Sequence, residues 1–136
     1  GWLSNNEVDN FFHFFSGGLP GLKGYTFYNE DLTGARQIIV TSETRIPIFL
    51  EKNYTFAHLN IQNMSVGMVV QTGGSFNNQL SEFIEEKNYK FSTGLELRIH
   101  GFSFYAYPTA LEYEYHQAIN DSEESGKHYL SLLFGF

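Results

Sequence analysis

The stretch Lys90-Phe91-Ser92-Thr93-Gly94-Leu95-Glu96-Leu97-Arg98-Ile99-His100 decides the fold. Its even positions, Lys90, Ser92, Gly94, Glu96, Arg98 and His100, are polar, charged or glycine. The odd positions, Phe91, Thr93, Leu95, Leu97 and Ile99, are apolar apart from the threonine. Successive side chains of a β-strand point to opposite faces, so this alternation reads as a strand with one polar and one apolar face.

The same period recurs on both sides of that stretch. Upstream, Ile38, Val40, Ile46 and Ile48 alternate with Gln37, Thr41, Glu43 and Arg45, and Met64, Val66, Met68 and Val70 alternate with Asn63, Ser65, Gly67 and Gln71. Downstream, Leu111, Tyr113 and Tyr115 alternate with Glu112, Glu114 and His116, and Leu130, Leu132, Phe134 and Phe136 share one side of the last strand. Asn10 to Phe15 reads as the tail of one more strand. Leu50 to Gln62 is less regular, because Asn53, His58, Asn60 and Gln62 break the alternation.

Composition narrows the class. Aromatic residues make up 18% of the 136-residue chain, which favours β structure. No run of about 18 apolar residues occurs, so a transmembrane helix is excluded, whereas a membrane barrel needs only strands of about 9–11 residues. A net charge of −7 with only eight basic residues, scattered, argues against nucleic acid as a partner. The absence of cysteine removes disulfide frameworks and thiolate zinc sites. Gly1 to Asn10 is polar and acidic without an apolar signal stretch, so it is expected to be loop or poorly ordered, in a mature chain or a piece of a longer one.

The connections separate a membrane barrel from a soluble sheet. Long polar segments, Ser16 to Gly34, Thr72 to Asn88 and Ala118 to Gly126, alternate with shorter ones around Pro47 to Asn53 and Phe102 to Pro108. Long loops at one end and short turns at the other are the habit of outer-membrane barrels. Tyr54, Phe56, Phe104, Tyr105 and Tyr107 gather near the short turns, as an interfacial aromatic girdle would. The expected fold is therefore all-β, an antiparallel meander of five to six strands forming the carboxy-terminal part of a transmembrane outer-membrane β-barrel. That many strands do not close alone into a barrel of eight or more, so the rest are expected upstream in a parent chain.

Specific motifs add a resemblance. Gly17-Gly18-Leu19-Pro20-Gly21-Leu22-Lys23-Gly24-Tyr25 resembles the loop signature of the BamA-like outer-membrane assembly and bacterial surface antigen family, a Gly-rich segment leading to an Arg-Gly-aromatic tip. Glu43-Thr44-Arg45-Ile46-Pro47 resembles its Glu-x-Arg-x-Pro strand, Val69-Val70-Gln71-Thr72-Gly73 its apolar-x-Asp-x-Gly element, and Gly94 to Arg98 its Gly-x-x-x-Arg strand. His128 to Phe136 matches its amphipathic closing strand. The order agrees from about Phe11 to the end. Two departures stand out: Lys23 replaces the usual Arg and Gln71 the usual Asp.

The resemblance implies that residues 16–34 form a long loop directed into the barrel lumen, with Gly18, Gly21, Gly24 and Tyr25 as its signature. Its tip would contact the lumen wall through Lys23, Glu43 and Gln71. Glu43 lies on the polar face, so a Lys23–Glu43 pair is expected, and lysine, a point donor without the planar fork of arginine, suits a single carboxylate. Arg45, Glu96 and Arg98 would be lumen-facing strand residues. Leu130, Leu132, Phe134 and Phe136 would form the carboxy-terminal insertion signal, an edge strand offered to the barrel-assembly machinery by strand addition.

Catalytic chemistry has little to draw on. The five histidines, His13, His58, His100, His116 and His128, lack metal-ligand spacing, and no metal or other cofactor is expected. Asp9, Asp31 and Asp121 fall in expected loops, which leaves no Ser-His-Asp arrangement. Glu112 and Glu114 share a strand but fit a wet lumen wall better than an acid–base pair. Gly17 to Gly24 lacks the Gly-Lys-Ser/Thr ending of a phosphate loop.

The chain is thus expected to be no enzyme but an outer-membrane segment of an assembly or translocation factor. Its partners would be outer-membrane lipid, the barrel-assembly machinery and unfolded outer-membrane protein clients. Two alternatives stay open: an anchor barrel for a periplasmic TolB-like propeller or a hydrolase, and a soluble lipocalin-like ligand-binding barrel whose apolar faces point inward.

Overall fold

A computed structural model of the chain describes residues 13–77, 89–104, 106–121 and 123–135, together with Ser81 and Ile84. The described residues are all-β, 67% strand, with antiparallel strands. In chain order the strands are β1 (Phe14–Phe15), β2 (Thr33–Gly34), β3 (Arg36–Phe49), β4 (Tyr54–Phe56), β5 (Leu59–Phe76), β6 (Lys90–Ser103), β7 (Tyr107–Ala118) and β8 (Lys127–Phe134). β1 and β2 form a two-stranded sheet; the others form a six-stranded sheet in the order β3-β5-β6-β7-β8, with β4 also on β5. Neighbours in sequence are therefore neighbours in space, as in a meander. Among the described residues the sheet is not closed as a barrel. Among the described residues no helix is long and apolar enough to cross a membrane.

The strands outrun the segments legible from alternation. Pro47 lies inside β3, where an edge strand tolerates its missing N–H, so the connection to β5 starts only after Phe49. β5 is 18 residues long and takes in Thr72 to Phe76, which alone read as the start of a loop. The reason is Gly73. With φ at 151° it brings β5 so close to β3 that a Cβ there would sit 2.1 Å from the Ile38 carbonyl oxygen. Such glycines mark close backbone approach inside a strand as well as turns. The irregular stretch after Leu50 resolves into β4 hairpinned onto the start of β5, with Tyr54 opposite Ile61 and Phe56 opposite Leu59.

The chain divides into two compact units. The first contains Gly1–Ser42, Val70–Thr93 and His116–Lys127; the second contains Glu43–Val69, Gly94–Tyr115 and His128–Phe136. All the long connections belong to the first and the short ones to the second. The expectations for residues 1–10 and for Tyr105 and Phe136 lie outside the described residues.

Burial is inverted relative to a water-soluble sheet in both units. In the first, Gln71, Ser75, Ser92 and His116 are buried while Val40 and Val70 are exposed. In the second, Glu96 and Glu114 are buried at 4% and 5% exposure, whereas Met68, Leu95 and Leu130 show 54%, 64% and 71%. The aromatics expected near the short turns, Tyr54, Phe56, Phe104 and Tyr107, are all exposed. Exposed apolar surface costs about 25 cal/mol per Å² in water, and a soluble monomer rarely shows a contiguous patch beyond a few hundred Å².

Candidate functional site

Each of the two units carries a cluster of polar side chains on its strands. In the first unit the connection between β1 and β2 folds back on itself and docks against its strands. Its internal frame is backbone: Gly18 N–H donates to the Tyr25 carbonyl at 3.0 Å, Gly21 N–H to Gly18 at 3.0 Å, and Leu22 N–H to Ser16 at 2.7 Å. Gly18 has φ 73°, a conformation glycine adopts without penalty. Asn29 caps the short 3-10 turn Glu30–Leu32 by accepting from Asp31 N–H at 3.1 Å. Leu22, Tyr25 and Leu32 are fully buried and pack with Ala118 and the partly buried Ile39.

The tip meets the strands through neutral donors. Lys23 N–H donates to Gln71 Oε1 at 3.0 Å, and the Gln71 amide donates on to the Gly21 carbonyl at 3.1 Å and to Thr41 Oγ1 at 3.3 Å. Gln71, 4% exposed, thus binds the loop backbone from both sides. Gly24 N–H donates to Ser92 Oγ at 3.1 Å, and the Tyr25 hydroxyl to the Phe91 carbonyl at 3.0 Å. Burial pushes the Tyr25 phenol above its ordinary pKa. Ser16 and Ser75 share a short hydroxyl–hydroxyl contact. Gly24 is seated hard against β7: a Cβ there would lie 2.7 Å from Ala118 N and 2.8 Å from the Gln117 carbonyl carbon, both backbone.

A carboxylate from the β7–β8 connection clamps the loop at its base. Glu124 accepts from Thr26 N–H at 3.0 Å, Thr26 Oγ1 at 2.9 Å and Asn29 Nδ2 at 3.1 Å, and pairs with Lys127 at 3.1 Å. Burial alone would raise its pKa; these donors outweigh that and hold it at about 2. Lys90 adds a bridge to Asp31 at 3.1 Å, with Asp121 at 3.8 Å.

In the second unit the polar face is ionic. The Arg45 guanidinium on β3 binds Glu96 on β6 with both prongs, at 3.0 and 3.1 Å, and also pairs with Glu43. Arg98 approaches Glu96 at 3.3 Å and donates to Glu112 on β7. Glu96 is the hub, its side chain 2% exposed against 36% for Arg45. Because β5 lies between β3 and β6, Arg45 must cross it, and it does so over Gly67, where a Cβ would come within 3.2 Å of Arg45 Cγ.

The sequence-derived site residues therefore sort as follows. Lys23, Gln71, Gly18, Gly21, Gly24 and Tyr25 come together in the docked loop; Arg45, Glu96 and Arg98 come together in the ionic network. Glu43 is engaged by Arg45. Lys23 and Glu43 belong to different units, and their pairing stays a proposal. Leu130, Leu132 and Phe134 are exposed on β8. Sequence reasoning missed Glu124 and Ser92 as loop contacts. Ser92 sits on the legible polar face, but nothing periodic marks a glutamate in a connection.

No family model, curated protein or solved structure matches the chain. Among the described residues no group of three or more His, Cys, Asp or Glu side chains is placed to hold a metal ion.

Proposed function

We propose that the chain is part of the wall of a bacterial outer-membrane β-barrel, in a protein of the assembly or translocation type, with the loop of residues 16–34 bracing the lumen. The observation that carries the reading is the inverted burial: Glu96, Glu114, Gln71 and Ser92 are covered while Met68, Leu95, Leu130 and Phe134 are bare. A lipocalin-like barrel would bury the apolar set and bare the polar one. Hydrocarbon as the outer solvent makes the observed arrangement favourable, because lipid accepts the apolar side chains and the lumen accepts the charged ones.

Strand length agrees with this. β3, β5, β6 and β7 have 14, 18, 14 and 12 residues, each above the roughly 9–11 that cross a bilayer. Tyr54, Phe56, Phe104 and Tyr107 supply amphipathic rings for an interface, and the exposed Leu130, Leu132 and Phe134 supply an apolar edge for the insertion machinery. Client polypeptides would enter as extended chains. The docked loop supports an assembly or translocation role over a plain anchor, since a passive anchor has no need of a segment held in its lumen by Gln71, Ser92 and Glu124.

Outer-membrane fractionation of the parent protein, followed by gels of unboiled and boiled samples, tests the reading. A membrane-associated band that shifts on boiling is expected. A soluble band without a shift would overturn it.

A further inference from the structure

Within the second unit the apolar alternation of β6 breaks off. The series Leu95, Leu97, Ile99 gives way to Gly101 and Ser103, and on β7 Thr109 is small as well. Residues of that size leave space where a leucine or phenylalanine would stand. The result is a hollow of about 200 Å³ walled by Leu59, Leu111 and Leu132, with Ser103 and Thr109 in its lining and Phe104 beside them. The two hydroxyls are engaged within the protein: Thr109 donates to Ser103 Oγ at 2.7 Å, and the Tyr107 carbonyl lies 3.0 Å from the same Thr109 oxygen. The lining therefore offers water no unengaged hydroxyl. An apolar cavity of roughly 150 Å³ already stays dry and takes benzene or xenon.

Phe104 carries a second, independent mark. Its φ of 48° is left-handed, a conformation that glycine takes freely and a bulky residue only under strain. Two contacts with the turn between β4 and β5 hold it there: its N–H donates to the His58 carbonyl at 2.8 Å, and its ring stacks on the His58 imidazole at 5.4 Å. Strain of this kind persists where the surroundings over-determine it, and it clusters at ligand clamps. The ring so held is 64% exposed and stands at the hollow.

We propose that the hollow is a seat for one acyl chain of a membrane lipid, clasped between Phe104 and the leucine walls. The inference rests on the membrane reading and deepens it by giving one lipid chain a fixed place. Charge decides the occupant. Among the described residues, the positions sharing this face on β6 from Leu95 to Ser103, on β7 from Tyr107 to Leu111 and on β8 from Leu130 to Phe134 carry no charged side chain. A protein partner would need a polar rim and about one hydrogen bond per 100–200 Å². A hydrocarbon chain needs neither.

The test is photolabelling of the parent protein in phosphatidylethanolamine and phosphatidylglycerol vesicles, doped with a phosphatidylethanolamine that bears a diazirine in one acyl chain. Adducts are located by mass spectrometry. Leu95 and Leu130 are the controls, since both are bare but lie outside the hollow. About tenfold more adduct is expected at Leu111 and Leu132 than at the controls, a modest preference for one site over bulk lipid. Equal labelling of all four, in a band that shifts on boiling, would overturn the seat and leave the barrel reading standing. A soluble band without a heat shift would overturn both. Filling the hollow with Ser103→Leu should bring Leu132 down to the level of Leu130. That change also breaks the pairing with Thr109, so Phe104→Gly is the second variant. It relieves the strained backbone, which preserves the heat shift, and it removes the clasping ring, so the excess at Leu111 and Leu132 is lost. An excess that survives Phe104→Gly would overturn the proposal.

Discussion

The polar clusters of the two units are built by opposite means. At its tip the docked loop is held by backbone N–H groups, hydroxyls and one glutamine, packed to full burial: Tyr25 and Leu22 are fully buried and Gly24 abuts the Gln117–Ala118 peptide. The ionic network is built from long side chains around a buried Glu96, with Arg45 still 36% exposed. Short neutral contacts specify position sharply and fail abruptly. Long charged side chains cover polar wall area and re-form after small changes, since each arginine has a second carboxylate within reach. The sharp cluster is the one that fixes a loop; the adaptable one fills space.

That difference predicts the order of mutational effects. Gly24→Val should be the largest. Its new side chain meets Ala118 N and the Gln117 carbonyl carbon, neither of which can move without breaking the β7 ladder, so the loop must lift. A loss of about 3 kcal/mol in urea unfolding is expected, with new protease cleavage within residues 16–34. An unchanged cleavage pattern would show that the loop does not depend on this approach. Gln71→Leu is near in volume but leaves the Lys23 N–H and the Gly21 carbonyl without partners, and should cost about 2 kcal/mol with the same cleavage signature.

In the ionic cluster, Glu96→Ala should cost less than the loop-lifting change, about 2 kcal/mol. Arg45 and Arg98 lose their shared partner but keep Glu43 and Glu112. If Glu96→Ala proves more damaging than Gly24→Val, the contrast between a sharp and an adaptable cluster is wrong. Gly67→Ala tests the crossing over β5. Its Cβ presses closest on the flexible Arg45 side chain, at 3.2 Å, and meets the Thr44 carbonyl oxygen at 3.4 Å, so an effect below about 1 kcal/mol is expected, as against the large effect at Gly24.

Much of this was readable beforehand, and the unread part has a physical cause. Alternation located every long strand because a period of two follows from strand geometry, and the apolar set at Val66, Met68, Leu95 and Leu130 fell on the bare face. Gly17 to Tyr25 stood out only through its resemblance to a family's loop signature. Strand ends were misjudged at Pro47 and Thr72 to Phe76, where local residue preference was overridden by an edge position and by a close β3–β5 approach. Glu124 was invisible because its partners, Thr26 and Asn29, are remote in sequence. Contacts between two irregular segments leave no period to read.

Glu124 gives the pH-dependent member of the comparison. Its carboxylate is held at about 2 in the folded chain against an ordinary value of 4.5, so the folded state binds fewer protons than the unfolded one between those values. A depressed carboxylate contributes stability that is fully present above the unfolded value and is lost as pH falls toward the folded one. The loop base should therefore loosen between about pH 4.5 and 2, read as increased hydrogen exchange at residues 24–34. Glu124→Gln keeps the shape but loses the charge; at neutral pH it should cost about 1 kcal/mol and flatten that pH dependence.

The smallest effect is expected at Glu43. Its side chain is 34% exposed, and its partner Arg45 keeps the two-pronged contact with Glu96 when Glu43 is neutralised. Glu43→Gln should therefore change stability by less than about 0.5 kcal/mol. The proposed contact with Lys23 makes a separable claim, because it requires coupling that Arg45 alone does not supply. A double-mutant cycle between Lys23→Glu and Glu43→Lys isolates that term. Recovery of about 0.5 kcal/mol in the double variant, with loop cleavage suppressed, would assign Glu43 a second partner in the loop. Additive losses would leave Glu43 to Arg45.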